Sequence, residues 1–152
     1  GCDVLLKHEN HLPTGAFKVR GGLVYTAALG AVRGLVSEHA DAYARSFEQR
    51  APIPTDSADT LADGMAVRVP HPDAVDMISR HAARVVRVSD DEVGAAIRHL
   101  LSDTHQLAEG AGAAPLAALL KERERMRGKK VALILSGANI DRAVLGRILL
   151  DA

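Results

Sequence analysis

The stretch KVALILSGAN, residues 130–139, is a short apolar run that ends in a turn of small and polar residues. Such a run is typical of a fully buried β-strand, so we expect a strand over 130–135. Ligands of open α/β sheets bind beyond the carboxyl ends of strands, where Ser136, Gly137 and Asn139 fall. A plain strand-to-helix turn, with glycine for conformation and asparagine as a cap, explains these residues equally well.

Segments on either side of this stretch alternate between strand and helix patterns. Residues 84–88, RVVRV, predict a second strand, and Ser89 followed by Glu92 predicts a capping box at a helix start. Further strands are predicted over 3–7 and 32–37, and helices over 17–29, 39–49, 73–83, 114–127 and 141–150. Strands that alternate with helices are typical of an α/β fold with an open, mostly parallel sheet flanked by helices.

The composition is that of one globular domain. The 152 residues are 47% hydrophobic and 25% charged, and 19 basic residues balance 19 acidic ones. A net charge of zero gives no support to nucleic acid or an anionic membrane as a partner. One cysteine excludes an internal disulfide framework, and no secretory signal or membrane-spanning run is visible, so we expect a cytoplasmic protein.

Lys18 is a candidate catalytic residue because it stands between Phe17 and Val19, just after a Pro-Thr-Gly turn. Apolar neighbours desolvate an amine, which lowers its pKa and frees it for Schiff-base chemistry. A surface lysine with a buried stem is the alternative interpretation.

Two other motifs are weaker. Residues 110–115, GAGAAP, share two glycines with the dinucleotide fingerprint, but Pro115 stands where the third belongs, so close packing is the better explanation. His8 and His11 are three residues apart beside a proline, whereas the helical zinc motif needs histidines four apart. We therefore predict no metal site.

Four segments, taken in order, resemble the threonine/serine dehydratase family, which consists of fold-type II enzymes dependent on pyridoxal phosphate (PLP). These segments are residues 6–21, LKHENHLPTGAFKVRG; 59–68, DTLADGMAVR; 108–114, AEGAGAA; and 135–141, LSGANID. The first is similar to the family's cofactor-lysine segment.

The resemblance implies a cofactor-binding role for six residues of this chain. Lys18, as the catalytic residue, would form a Schiff base with PLP, and Phe17 would pack against the ring. Ser136, with Gly137 beside it, would hydrogen-bond the pyridine nitrogen. Gly64 and Glu109 would lie near the ring and the reacting end of the substrate.

The resemblance also implies an activity, namely dehydration and deamination of a 3-hydroxy amino acid to a 2-oxo acid and ammonia. L-threonine or L-serine is the expected substrate type. An amino-acid racemase of the same family is the alternative. Family members usually pair, so a homodimer is expected.

Parts of the family pattern have no match in this sequence. Members carry a leading segment before the part that matches residues 3–18, and a long stretch between the parts that match Leu29 and Val32. That stretch holds the substrate-carboxylate loop, the glycine-rich phosphate loop and most of the small domain. We therefore expect residues 1–152 to represent mainly the large domain, with a seam near Gly30 and Ala31.

Two explanations of the seam remain open. Residues of a longer chain are omitted there, or the deletion is real and the chain is a catalytically inactive fragment that acts as a binding partner. No regulatory amino-acid-binding domain is expected after the last matching segment.

Some family members bind a divalent cation through acidic residues after a strand. Val36 and Ala42 occupy those two positions here, while Glu38 and Asp41 lie out of register. We therefore expect no cation at Glu38 or Asp41.

Overall fold

The computed structural model of the protein describes residues 1–10 and 32–150. Lys18, Phe17, the predicted helix over 17–29 and the seam at Gly30 and Ala31 lie outside the described residues. The described strands are β1 (Asp3–His8), β2 (Val32–Ser37), β3 (Ala82–Val88) and β4 (Lys130–Leu135). The described α-helices are α1 (Ala42–Gln49), α2 (Pro72–His81), α3 (Asp90–Thr104), α4 (Gly110–Lys121), α5 (Arg123–Met126) and α6 (Arg142–Leu150).

The described residues cluster into two compact units. The terminal unit contains residues 1–10 and 91–150, and the central unit contains residues 32–90. Strands β1 and β4 pair in the terminal unit, β2 and β3 pair in the central unit, and both pairs are parallel. The predicted α/β class with parallel strands is confirmed, and the described strands form two two-stranded sheets.

The core of the terminal unit lies on one face of the β1–β4 sheet. Leu133 of β4 is buried in a cluster with Leu119 of α4 and Met126 of α5. Leu6 of β1, the neighbour of Leu133 in the parallel register, packs against the same cluster. Burying each such side chain contributes roughly 1.5–3 kcal/mol. This face therefore holds α4 on the sheet.

The other face of this sheet is exposed, so the expectation that β4 is buried throughout was wrong. Leu133 and Leu135 are buried, whereas Ile134 between them is 40% exposed. Leu5 of β1 is 65% exposed. Successive side chains of a strand point to opposite faces, and the described residues cover only the face that meets α4.

Helix α4 begins at Gly110, four residues before the predicted start at residue 114, and ends at Lys121 rather than at residue 127. Glycine disfavours helix by about 1 kcal/mol, so local preference alone does not extend the helix back to Gly110. Gly112 and Ala113 are buried in the first turns of α4, so packing outweighs their local preference. A break at Glu122 separates α4 from the short α5.

Helices α1 and α2 pack on the β2–β3 pair of the central unit. A 3-10 turn, Glu38–Ala40, precedes α1, because the Ser37 hydroxyl accepts the His39 N–H at 3.2 Å and caps the tight turn. The predicted helix over 39–49 therefore starts later, at Ala42. Helix α2 stops at His81, two residues before its predicted end, since Ala82 pairs with Val32 in the sheet.

No helix among residues 1–10 and 32–150 combines the length and the apolar character needed to cross a membrane.

A network of charged side chains joins α1 to β3. The Arg87 guanidinium donates to both oxygens of Glu48, at 2.6 and 3.1 Å, and to Asp41 Oδ2 at 3.1 Å. Arg45 donates to the other oxygen of Asp41 at 2.7 Å. The hydrogen bond from Arg87 lowers the pKa of Glu48 below its ordinary value, and the bond to Glu48 raises the pKa of Arg87.

The Glu48–Arg87 pair predicts a pH dependence of stability. Because the folded-state pKa of Glu48 is lowered, its contribution is complete above the ordinary glutamate pKa of about 4.3 and is lost as the pH falls toward the folded value. Glu48→Gln should therefore flatten the decline in unfolding free energy between about pH 6 and pH 3, as measured by urea denaturation. Glu124→Gln, which removes an exposed local ion pair with Arg127, is the control and should keep most of the wild-type slope. An unchanged slope in Glu48→Gln would contradict the assignment.

Candidate active site

The turn after β4 lies against the start of α4 in the terminal unit. The Glu109 N–H donates to the Gly137 carbonyl at 3.1 Å, and the Asn139 N–H donates to Glu109 Oε2 at 2.9 Å. Glu109 is the N-cap residue of α4, yet its carboxylate makes no capping hydrogen bond to that helix. The carboxylate therefore reaches across to the turn and holds it.

Two glycines allow this close approach. A Cβ on Gly137 would overlap the Glu109 carboxylate, reaching within 2.8 Å of Oε2. A Cβ on Gly112 would overlap the Gly137 carbonyl oxygen and come within 3.1 Å of the Gly137 nitrogen. The interpretation of GAGAAP as a close-packing segment agrees with these contacts.

Ser136 follows β4 directly and is half-buried. Its neighbour Leu135 is fully buried and accepts the Glu9 N–H at its carbonyl, at 3.0 Å. The end of β4, where the turn begins, is therefore still hydrogen-bonded to the chain that follows β1. This arrangement places a hydroxyl, a glycine and a carboxylate at the carboxyl edge of the sheet, where ligands of α/β folds bind.

The end of β1 contributes two buried polar residues that the sequence analysis did not single out for catalysis. Glu9 is 5% exposed and Asn10 is 6% exposed. Lys7 Nζ lies 2.8 Å from Glu9 Oε1, and the Asn10 amide donates to the Leu107 carbonyl at 3.1 Å. The signal available in the sequence was their position, two and three residues after the end of the strand predicted over 3–7.

No group of three or more potential metal ligands occurs among the described residues. Both oxygens of Asp41 accept hydrogen bonds from arginines, and Val36 and Ala42 are buried apolar residues. These contacts support the expectation that no cation binds at Asp41. The expectation itself stays a prediction.

Gly64 belongs to the central unit. It lies exposed in a 3-10 turn, Asp63–Met65, and its N–H donates to Asp63 Oδ1 at 2.7 Å. The structure thus brings together Glu109, Ser136 and Gly137 of the predicted site. The cofactor-binding roles of all six residues stay predictions, with Phe17 and Lys18 outside the described residues.

Asp90, at the start of α3, orders the loop that leads to Gly64. Its carboxylate accepts the Thr60 hydroxyl at 2.6 Å and the Leu61 N–H at 3.0 Å. The Thr60 hydroxyl in turn accepts the Ala62 N–H at 3.2 Å. From the sequence, Asp90 is predicted only as part of a helix start, because its partners lie about 30 residues earlier in the chain.

Gly112→Ala is expected to destabilise the terminal unit because the added methyl group meets backbone atoms of Gly137. Overpacking of this kind costs about 1–3 kcal/mol. Gly146→Ala in α6 is the matched control: its Cβ would meet no atom within 4 Å, and the change should stabilise the helix by up to about 1 kcal/mol. Chemical denaturation of the two variants measures both effects. If Gly112→Ala and Gly146→Ala had the same free energy of unfolding, the backbone of Gly137 would have moved to accommodate the methyl group, which would contradict the prediction.

Asp90→Asn is expected to loosen the loop that leads to Gly64. Asparagine has one acceptor oxygen where aspartate has two, so the Thr60 hydroxyl and the Leu61 N–H can no longer each donate to an oxygen of their own. Loss of one such bond should speed hydrogen exchange at the Leu61 amide by about tenfold. Asp91→Asn, at the exposed neighbouring position, should leave that rate unchanged. Wild-type protection of Leu61 in Asp90→Asn would contradict the anchoring role.

The sequence pattern of the family described as "Pyridoxal-phosphate dependent enzyme" matches residues 30–137 of this chain. An L-threonine ammonia-lyase from Thermotoga maritima is 40% identical over 90 residues, which are 59% of this chain and 22% of that protein. A phenylserine dehydratase from Ralstonia pickettii is 36% identical over 119 residues, 76% of this chain and 36% of the relative.

Among solved structures, a threonine deaminase from T.th. superposes with a TM-score of 0.70 and 28% identity, covering 91% of this chain and 50% of that one. The chain thus spans between about a fifth and a half of the length of these relatives. The family pattern covers well over half of the chain. The expected family is confirmed: the chain belongs to the PLP-dependent enzymes that include the threonine/serine dehydratases.

Proposed function

We propose that the protein is a PLP-dependent ammonia-lyase that dehydrates and deaminates a 3-hydroxy amino acid of the L-threonine or L-serine type. The products would be a 2-oxo acid and ammonia. The observation that carries this proposal is the cluster of Glu109, Ser136 and Gly137 at the carboxyl end of β4, in a chain of a PLP-dependent family. The relatives named as L-threonine ammonia-lyase and phenylserine dehydratase support the substrate class.

The residues of the cluster fit the cofactor. Ser136 offers a half-buried hydroxyl that can donate to, or accept from, a ring nitrogen. Gly137 lacks a side chain, which lets the Glu109 carboxylate lie directly against the turn beside Ser136. The Glu109 carboxylate supplies an acceptor over the same glycine.

When bound, PLP supplies an electron sink that makes the α-proton of an amino acid acidic. Lys18 would hold the cofactor covalently and, once its amine is free, remove that proton as a general base. Ser136 would orient the ring through its nitrogen. A hydroxyl does not keep that nitrogen protonated as a carboxylate can, which weakens the sink and favours prompt loss of the β-hydroxyl group.

Glu109 would act near the reacting end of the substrate. Its Oε2 is held by the Asn139 N–H, which fixes the direction of the carboxylate. The remaining oxygen can accept a hydrogen bond from a substrate amine or hydroxyl. The residue would thereby orient the substrate.

We further propose that the enzyme is cytoplasmic and acts as a homodimer, with an amino acid as its small-molecule substrate and no nucleic-acid or membrane partner. Equal numbers of basic and acidic residues support the last point.

Borohydride reduction of the purified protein in the presence of PLP tests the proposal. The phosphopyridoxyl group should map to Lys18, and L-threonine or L-serine should yield a 2-oxo acid. Lys18→Ala should abolish both the adduct and the product, because no other group supplies the covalent amine and the base. Lys129→Ala, at an exposed lysine just before β4, is the control and should behave as wild type.

The products separate the alternatives. Formation of a D-amino acid without 2-oxo acid would show that the enzyme is a racemase and not a lyase. Absence of any adduct on the wild-type chain would favour an inactive fragment that acts as a binding partner.

A further inference from the structure

The side chain of Asn10 ties the end of β1 to a distant part of the terminal unit. Its amide nitrogen donates to the carbonyl oxygen of Leu107 at 3.1 Å, across 97 residues of sequence. Asn10 is only 6% exposed, so water does not compete freely for this bond. The contact reaches the connector between α3 and α4 two residues before Glu109.

The connector, residues 105–109, is held by the backbone at both ends. The Gln106 N–H donates to the Leu100 carbonyl at 2.9 Å, which ties the connector to α3. The Glu109 N–H donates to the Gly137 carbonyl at 3.1 Å, which ties it to the turn after β4. The Asn10 bond to Leu107 lies between these two anchors, so it sets the path of the chain into Glu109.

The contact with Leu107 fixes the orientation of the Asn10 amide. Its Oδ1 is buried and makes no hydrogen bond within the part of the chain that the structure describes. Exchanging the two ends of the amide would set Oδ1 against the Leu107 carbonyl oxygen, so the donor must face Leu107.

We infer that Asn10 is a positioning residue, which holds the Leu107 carbonyl so that the connector delivers Glu109 to the turn at Gly137. This inference rests on the proposed function for the importance of Glu109. It assigns a role at the active site to a residue that acts through the Leu107 carbonyl.

Two near-isosteric variants test the role. Asn10→Asp keeps the shape but offers no donor when ionised, and Asn10→Leu removes both polar atoms. The control is Ser46→Ala in the central unit: it removes a fully buried hydroxyl that donates to the Ala42 carbonyl at 2.7 Å and accepts the Ile53 N–H at 2.8 Å. It should lower stability without touching the connector.

The first measurement is hydrogen exchange of the Glu109 and Asn139 amides in the protein without cofactor. Both Asn10 variants should speed exchange at these two amides by about tenfold relative to wild type, as loss of one hydrogen bond implies. Ser46→Ala should leave both rates unchanged. Wild-type exchange rates at Glu109 in both Asn10 variants would overturn the inference.

The second measurement is binding of PLP, followed by its absorption spectrum and affinity, and then kcat and KM with L-threonine. The Asn10 variants should bind PLP about tenfold more weakly and show a lowered kcat at saturating cofactor, whereas Ser46→Ala should match wild type. Faster exchange with unchanged spectrum, affinity and kcat would overturn the role at the active site. If wild type itself bound no PLP, the proposed function would fall, while faster exchange would still support the positioning of Glu109 by Asn10.

Discussion

The close approach of two backbones at Gly112 and Gly137 is the constraint on which the polar cluster of the terminal unit depends. A side chain at either glycine would overlap the carboxylate or the carbonyl that faces it. Because both positions lack a Cβ, the start of α4 lies against the turn after β4. Leu133 and its apolar neighbours supply the burial that holds the helix there. Apolar packing therefore places α4 next to the turn, and the hydrogen bonds of Glu109 fix the conformation of the turn.

Both units use the same device, a carboxylate at a helix start that holds a loop. Glu109 precedes α4 and receives the Asn139 N–H, while Asp90 begins α3 and receives Thr60 and the Leu61 N–H. Negative charge is favourable at a helix amino terminus, so each carboxylate is stabilised where it stands. The turn that carries Ser136 and the loop that leads to Gly64 are thus each held by a carboxylate next to a helix start.

The chemistry of a PLP enzyme resides in the cofactor, and the protein supplies positions. Membership of the PLP-dependent family and the hydroxyl–glycine–carboxylate cluster agree with that division. In the inferred order of anchors, from Asn10 through Leu107 to Glu109, a buried amide at the end of β1 would serve the same purpose.

The sequence alone determined the α/β class, the family and the strand positions apart from the start of β3 at Ala82, because short apolar runs and four ordered motifs are local patterns. It could not place the start of α4 at Gly110, since local preference disfavours glycine in a helix and only packing on β4 overrides it. Nor could it reveal Asn10 or Asp90, whose partners lie 97 and about 30 residues away. Tertiary structure decided these contacts because a hydrogen bond across the fold leaves no periodic signal in the chain.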